Sequence, residues 1–200
     1  MRHRRTGRTL GRKPSHQRAL LRNLASSLFL TERDAEDDDN APKIKGRIIT
    51  TIQKAKEVRP LVERVITIAR RALPALREAE RLETTAERQT DAHRQWRKSE
   101  GGQQWSQAAA TVVTARRRAL RLLGDKQAVR ILFAEVAPRF ADRPGGYTRI
   151  LRLAQPRLGD SCTRAILEFV GVRDRVSQRS ERPAFETTGT ESETPEKTAE

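Results

Sequence analysis

The sequence predicts an α+β protein. It reads as a small mixed three-stranded sheet packed with helices, with an extended basic N-terminal arm, a helical insertion and a disordered C-terminal tail. Three observations carry that reading. Ile48-Ile49-Thr50-Thr51-Ile52 is dense in β-branched residues, which suit a pleated surface and lose side-chain freedom in a helix, so it is read as a strand. From Lys54 onward Ala55, Val58, Val62, Val65, Ile66 and Ala69 recur at steps of three and four, the mark of one buried helical face. After Gly145-Gly146 the period falls to two, with Tyr147, Arg149, Leu151 and Leu153 on one side and Thr148, Ile150 and Arg152 on the other, as in a strand.

Composition bounds what such a scaffold is for. In 200 residues, a hydrophobic fraction of 36% against a charged fraction of 34% leaves a small core with long extensions. A net charge of +15 and a pI near 11.2 point to a polyanionic partner, and the arginine bias favours phosphate, which guanidinium forks match bidentately. The single Cys162 excludes an intramolecular disulfide and a multi-Cys zinc site and fits a reducing cytoplasm. No apolar run approaches the roughly 20 residues that span a bilayer, and no signal-peptide h-region is expected.

In chain order, residues 1–13 form a cationic arm too poor in apolar residues to offset its ordering entropy, so free in solution it is expected to be disordered. Against RNA its forked donors can follow a groove of phosphates; the other reading of such an end is a solvated or targeting tail. Pro14-Ser15 opens a helix, with Ser15 as N-cap and Ala19, Leu20, Leu24, Leu28 and Phe29 as its apolar stripe. Arg18 and Arg22 then share a face, with His16 close by. No acid occurs before Glu32, and then Glu32, Asp34, Glu36, Asp37, Asp38 and Asp39 crowd into a loop over residues 31–43 that is expected to be solvated and turned away from a polyanion.

The strand at Ile48 runs into the striped helix, whose outer surface carries Lys54, Lys56, Arg59, Glu63 and Arg64. Pro60 is a blemish in it, where the helix either kinks or starts its regular course just before, and Leu73-Pro74 breaks the pattern. Residues 74–112 are expected to be a solvent-exposed helical insertion, interrupted at Gly101-Gly102, where Trp96 and Trp105 either stack on bases or pack a satellite helix down. A firmer helix follows from about Gln107 to Leu123, with Gly124 as its C-cap. Asp125 caps another, carrying Ala128, Val129, Leu132, Phe133 and Val136 and ended by Pro138. The strand after Gly145-Gly146 and a second one from Cys162 to Val170 form a hairpin, and from residue 173 the tail is expected to be disordered. The expected organisation is therefore an arm, 1–13, a single domain, 14–172, and a tail, 173–200.

Charge is unevenly spread. Residues 31–41 carry six acids and one Arg, a charge of −5, and residues 174–200 carry seven acids and four Lys or Arg, −3; with +15 overall, the remainder holds +23. The basic surface belongs to the arm and the folded part.

The opening M-R-H-R-R-T-G-R-T-L-G-R-K-P-S-H-Q-R-A-L-L-R-N-L resembles the start of the bacterial large-subunit ribosomal protein of the L-seventeen family. Ile48, Thr50-Thr51, Lys54-Ala55-Lys56, Glu63, Val65-Ile66-Thr67 and Ala69 are similar to the family's signature pattern, R-P-G-G-Y-T-R-I from Arg143 to Ile150 to its hairpin, and A-I-L-E-F-V from Ala165 to Val170 to its last strand. The resemblance implies a structural component of the large subunit, in the cytoplasmic ribosome, that binds 23S ribosomal RNA beside neighbouring ribosomal proteins, with no catalysis, cofactor, metal, membrane or small-molecule substrate. By position it implies RNA contacts for Arg2, His3, Arg4, Arg5, Arg8, Arg12, Lys13, His16, Arg18 and Arg22, continued along the domain by Lys54, Lys56, Tyr147 and Arg149. The acidic loop, the insertion and the tail depart from the family pattern.

The alternative function is a free, non-ribosomal RNA- or DNA-binding protein. It would need a recognition helix or stacking aromatics, and an aromatic fraction of 4% offers few platforms. An enzyme fails on inventory: three scattered His, one Cys and no Gly-rich phosphate loop.

Overall fold

The computed structural model describes residues 7–171 apart from 12, 36 and 37. Expectations for residues 1–6, for Arg12 and for the tail from 173 therefore lie outside the described residues. The chain runs α1 (Pro14–Leu30), β1 (Arg47–Thr51), α2 (Ile52–Leu82), α3 (Asp91–Lys98), α4 (Glu100–Leu123), α5 (Lys126–Ile131), then a π-helical segment (Leu132–Val136) and a short α6 (Ala137–Arg139), and ends in β2 (Thr148–Arg152) and β3 (Arg164–Phe169). The class is α+β. The sheet has the order β1-β3-β2 and is antiparallel throughout rather than mixed, because β2 and β3 form a hairpin and β1 adds to β3 in the opposite sense.

α2 is the axis of this arrangement. Its expected stripe is buried as read: Ala55, Val58, Val62, Val65, Ile66 and Ala69 are each 0% exposed. The sheet lays Ala165, Leu167 and Phe169, with Ile48 and Ile150, into the same core. A ladder of rings closes one end of it, Phe29 to Phe169 at 5.5 Å, Phe169 to Phe140 at 6.2 Å and Phe140 to Tyr147 at 5.2 Å between centroids. Each fully buried Val or Ile is worth about 1.5–3 kcal/mol, so the stripe outweighs the roughly 3 kcal/mol that one interior proline costs.

That balance corrects two boundaries. α2 passes through both Pro60 and Pro74, which lie on its exposed side, and continues to Leu82 because Ala72, Leu73, Leu76 and Ala79 still have α4 and the core to pack on. Pro138 likewise does not end its helix at once. The π-helical segment precedes it, and Pro138, with no N–H to donate, sits in the opening turn of the short α6 that runs to Arg139.

Gly101 and Gly102 do not interrupt a helix either; both lie in the first turn of α4, capped by Ser99, whose Oγ accepts from the Gly102 N–H at 3.4 Å. Gly102 is buried where α4 turns off α3, and a Cβ there would stand 2.3 Å from the Trp96 carbonyl oxygen. Trp96 and Trp105 pack on one another across this corner, edge to face with centroids 5.5 Å apart. The expected insertion thus begins inside α2 and ends inside α4, two core helices lengthened away from the sheet.

Smaller corrections follow from caps and pairs. Pro14 occupies the first helical position of α1 and Lys13 its N-cap, so Ser15 is within the helix; Ala19 is exposed, and Ala25 joins Leu28 and Phe29 in the core. Glu32 does not belong to a solvated acidic loop: it is 5% exposed and accepts hydrogen bonds from Nη1 and Nη2 of Arg139, at 2.8 and 3.1 Å. Cys162 lies in the loop before β3, its Sγ 3.5 Å from Gln53 Oε1.

Replacing Gly101 with Ala, where the nearest atom to a new Cβ is Ser99 Oγ at 4.0 Å, is expected to raise stability by about 0.5–1 kcal/mol. Gly102→Ala is expected to lower it by about 1–3 kcal/mol. Urea unfolding midpoints of the two variants check the pair; equal shifts would contradict the close α3–α4 corner.

Candidate nucleic-acid interface

The cations fall into those the fold uses and those it leaves outward. On the outer face of the sheet, Glu168 of the central strand faces Arg47 on one neighbour and Arg149 on the other, in cross-strand register with both. Its carboxylate, 4% exposed, is held at 3.3 Å by Arg47 Nη2 and at 2.5 Å by Arg149 Nε. Arg149 thus reaches the surface already engaged. Arg157 and Asp160 fasten the β2–β3 loop in the same way. The Asp160 carboxyl is pulled down to about 2, first by its hydrogen bond from Arg157 and then by the Cys162 N–H. That contact is present above the ordinary carboxylate value of 3.8 and is lost as pH falls through about 2. The Arg157 and Arg139 guanidinium groups are pushed up from their ordinary value, foremost by hydrogen bonds to Asp160 and Glu32.

Glu63 of α2 plays a different part. Its Oε1 accepts from the Thr148 hydroxyl at 2.9 Å and the Thr148 N–H at 3.3 Å, and its Oε2 from the Gly146 N–H at 3.2 Å, with Arg59 Nε 3.5 Å away. One carboxylate therefore pins the Gly145-Gly146 turn and the start of β2 onto the axial helix. Gly146 has φ +63°, the left-handed region that a glycine enters without strain.

Of the predicted contact residues, Arg2, His3, Arg4, Arg5 and Arg12 lie outside the described residues. The part of the arm from Gly7 to Gly11 is laid across the first turns of α1 and α2 instead of hanging free. Arg8 Nε is 3.4 Å from Glu57 Oε1, and the Arg8 carbonyl accepts from Gln17 Nε2 at 2.7 Å. Gly11, at φ +145°, comes so close to His16 that a Cβ would stand 2.7 Å from the imidazole Cδ2. Lys13 and His16 are exposed beside this crossing, and Lys54, one helical turn before Glu57, is half-buried.

The other predicted residues lie elsewhere. Arg18 and Arg22 line a groove between α1 and the junction of α4 with α5, where Arg22 donates to the Arg121 carbonyl at 3.0 Å. With Ser26 donating to the Leu123 carbonyl at 3.1 Å, it closes the C-terminus of α4, where a cation meets the negative end of the helix dipole. Lys56, two residues from Lys54 and hence on another face of α2, shares a groove between α2 and β2 with Arg59 and Arg152. Neither is among the predicted contacts, although Arg59 follows Lys56 at the three-residue helical spacing and Arg152 sits on the Thr148 and Ile150 side of its strand.

Tyr147 is corrected outright. It is 0% exposed, its ring against Phe140, and it belongs to the core because it precedes β2 and points beneath the hairpin. Lys13, Arg18, Lys54 and Lys56 have no carboxylate partner among the described residues. Nor, among the described residues, is any group of three or more His, Cys, Asp or Glu arranged to hold a metal or any helix long and apolar enough to cross a membrane.

A family model described as Ribosomal protein L17 matches residues 20–170. The chain belongs to the ribosomal protein L17 family. It is similar to the large ribosomal subunit protein bL17 of Rhodopirellula baltica, 64% identical over 193 residues that cover 96% of this chain and 92% of the relative. The protein of the same name from Nitratidesulfovibrio vulgaris is 38% identical over 169 residues, 84% of this chain and 87% of its own length. That of Thermus thermophilus is 38% identical over 170 residues, 85% and 99%. In this L17-family chain three of the segments that carry the resemblance meet in space, since Arg8 of the arm reaches Glu57, and Glu63 on the same helix holds the Gly146-Tyr147-Thr148 turn.

The Tyr147 hydroxyl is buried without a hydrogen-bond partner. Tyr147→Phe is therefore expected to leave nucleic-acid affinity unchanged and the unfolding midpoint equal or higher. A loss of affinity at unchanged stability would return Tyr147 to the interface.

Proposed function

We propose that this L17-family chain is a structural constituent of the large ribosomal subunit that holds 23S ribosomal RNA with its basic arm and the cations at its base, in contact with neighbouring ribosomal proteins. Membership of the family makes it a ribosomal protein and not an enzyme. The observation that carries the RNA reading is the uneven pairing of cations. Buried or half-buried carboxylates neutralise Arg47, Arg139 and Arg149, whereas Lys13, Arg18, Lys54 and Lys56 are left without one among the described residues. Outer cations left without a carboxylate suit an external polyanion.

The proposed contact set is Arg2, His3, Arg4, Arg5, Arg8, Arg12, Lys13, His16, Arg18, Arg22, Lys54, Lys56 and Arg149, without Tyr147. Arg8, Arg22 and Arg149 do double duty, since each also makes an internal contact. The proposed organisation is the arm, 1–13, a domain, 14–172, whose acidic loop, 31–43, is turned away from the RNA and whose insertion, 74–112, lies on the ribosome surface against lineage-specific RNA or protein, and a tail, 173–200. In this reading the protein works by neutralising phosphates and fixing RNA segments relative to one another, and its site of action is the ribosome of the cytoplasm.

Binding to purified large-subunit RNA is expected to fall steeply with salt, with a log-log slope of roughly −0.7 to −0.9 per phosphate neutralised. Arg4→Ala with Arg5→Ala is expected to flatten that slope by about two contacts while leaving the thermal midpoint of the full chain near wild type. A salt-independent affinity, or equal losses of affinity and stability, would contradict the reading.

A further inference from the structure

One cluster of cations among the described residues lies well away from the arm. Arg64 and Arg71 of α2 and Arg118 and Arg121 of α4 line one groove between the two helices, floored by Ile68 and Leu122. All four arginines are exposed. Arg64 and Arg71 are seven residues apart, about 10 Å along the axis, and Arg118 and Arg121 answer them at a three-residue spacing on the antiparallel helix.

No carboxylate answers these charges from the helices that carry them. α2 has no acid from Arg64 to Arg77, and α4 has none from Gly101 to Leu123. The neighbouring Glu63 is committed to Gly146, Thr148 and Arg59. None of the four guanidinium groups is in an ion pair among the described residues. In the isolated protein they repel one another. Their aliphatic stems do cover Ile68 and Leu122, but stems alone call for length, not for four like charges at one place. Beyond Arg71 and Arg118 the groove runs on past Ala110 and Thr114, side chains small enough to leave a polymer room to continue.

We infer that this groove is a second RNA-backbone site, in which phosphates sit between arginines of α2 and α4 and clamp the two helices together. The inference rests on the reading of the chain as a ribosomal RNA binder and extends it to residues outside the arm. Guanidinium forks presented from both walls suit phosphate oxygens bidentately, and the groove offers no aromatic platform, so it reads backbone and not base sequence.

The test compares the full-length protein with the Arg64→Gln, Arg71→Gln, Arg118→Gln, Arg121→Gln variant, the same four positions changed to Lys, and the Arg71→Gln, Arg118→Gln pair. Each is titrated against purified large-subunit RNA across a potassium chloride series. The quadruple Gln variant is expected to bind at least tenfold more weakly at low salt, with a salt slope shallower by about three, at roughly 0.7–0.9 per lost contact. The pair is expected to show about half that change, and the Lys variant to keep most of the slope. Unfolding midpoints are expected to stay level or rise as the repulsion is removed.

An unchanged slope in a folded Gln variant would overturn the groove and leave the proposed function standing. So would a lowered midpoint in both the Gln and Lys variants, which would assign the arginines to packing. A Gln variant that binds RNA normally yet fails to enter large subunits would assign the groove to an acidic protein and overturn the inference as well. A wild-type protein with no salt-dependent affinity for the RNA would remove both this inference and the function it rests on.

Discussion

The apolar stripe of α2 is the constraint from which the rest of the architecture follows. A helix of 31 residues with two interior prolines holds its course only because its buried side is covered almost without a break. The inner face of the sheet covers it near β1, and α1, α4 and the segment from α5 to α6 cover it further along. With that side fixed, helical geometry assigns every other side chain of α2 a direction. Lys54 and Glu57 point to the arm, Lys56 and Arg59 to β2, Glu63 to the hairpin turn, and Arg64 and Arg71 to α4. One burial decision thereby distributes the cations over separate surfaces.

The carboxylates show the same economy. Glu32, Glu63 and Glu168 each hold donors brought from distant elements: the Arg139 fork, the amides at the hairpin turn, and two cross-strand arginines. These acids orient elements and do not shield the exterior. Lys13, Arg18, Lys54 and Lys56 are left without a carboxylate among the described residues, which suits a partner that brings its own negative charge.

Much of this was legible in the sequence wherever a period or a cap ruled locally. The β-branched run from Ile48 announced a strand that the structure places at Arg47–Thr51, and the Gly124 C-cap and Asp125 N-cap stand where the residue types put them. What could not be read was decided by contacts distant in sequence. Pro74 looks like a stop until α4 is known to pack along α2, Gly102 looks like a break until the Trp96 carbonyl is seen lying against it, and Glu32 looks like one more solvated acid until Arg139 reaches it from 107 residues away. Tyr147 was misassigned for a related reason. Alternation put it on the Arg149 side, but the strand begins only at Thr148, so the alternation does not extend to Tyr147 and its ring lies in the core.

The scaffold, on this account, is complete before any RNA arrives, and RNA is held by surfaces already in place. Hydrogen–deuterium exchange on the full-length protein, free and bound to large-subunit RNA, measures that directly. The account expects the amides of α2 from Val58 to Ala69 and of β3 to exchange only through global unfolding in the free protein, with added protection on binding confined to the arm and the helix surfaces that carry the unpaired cations. Rapid exchange along α2 in the free protein, suppressed only by RNA, would show that the polyanion makes the fold and would contradict it.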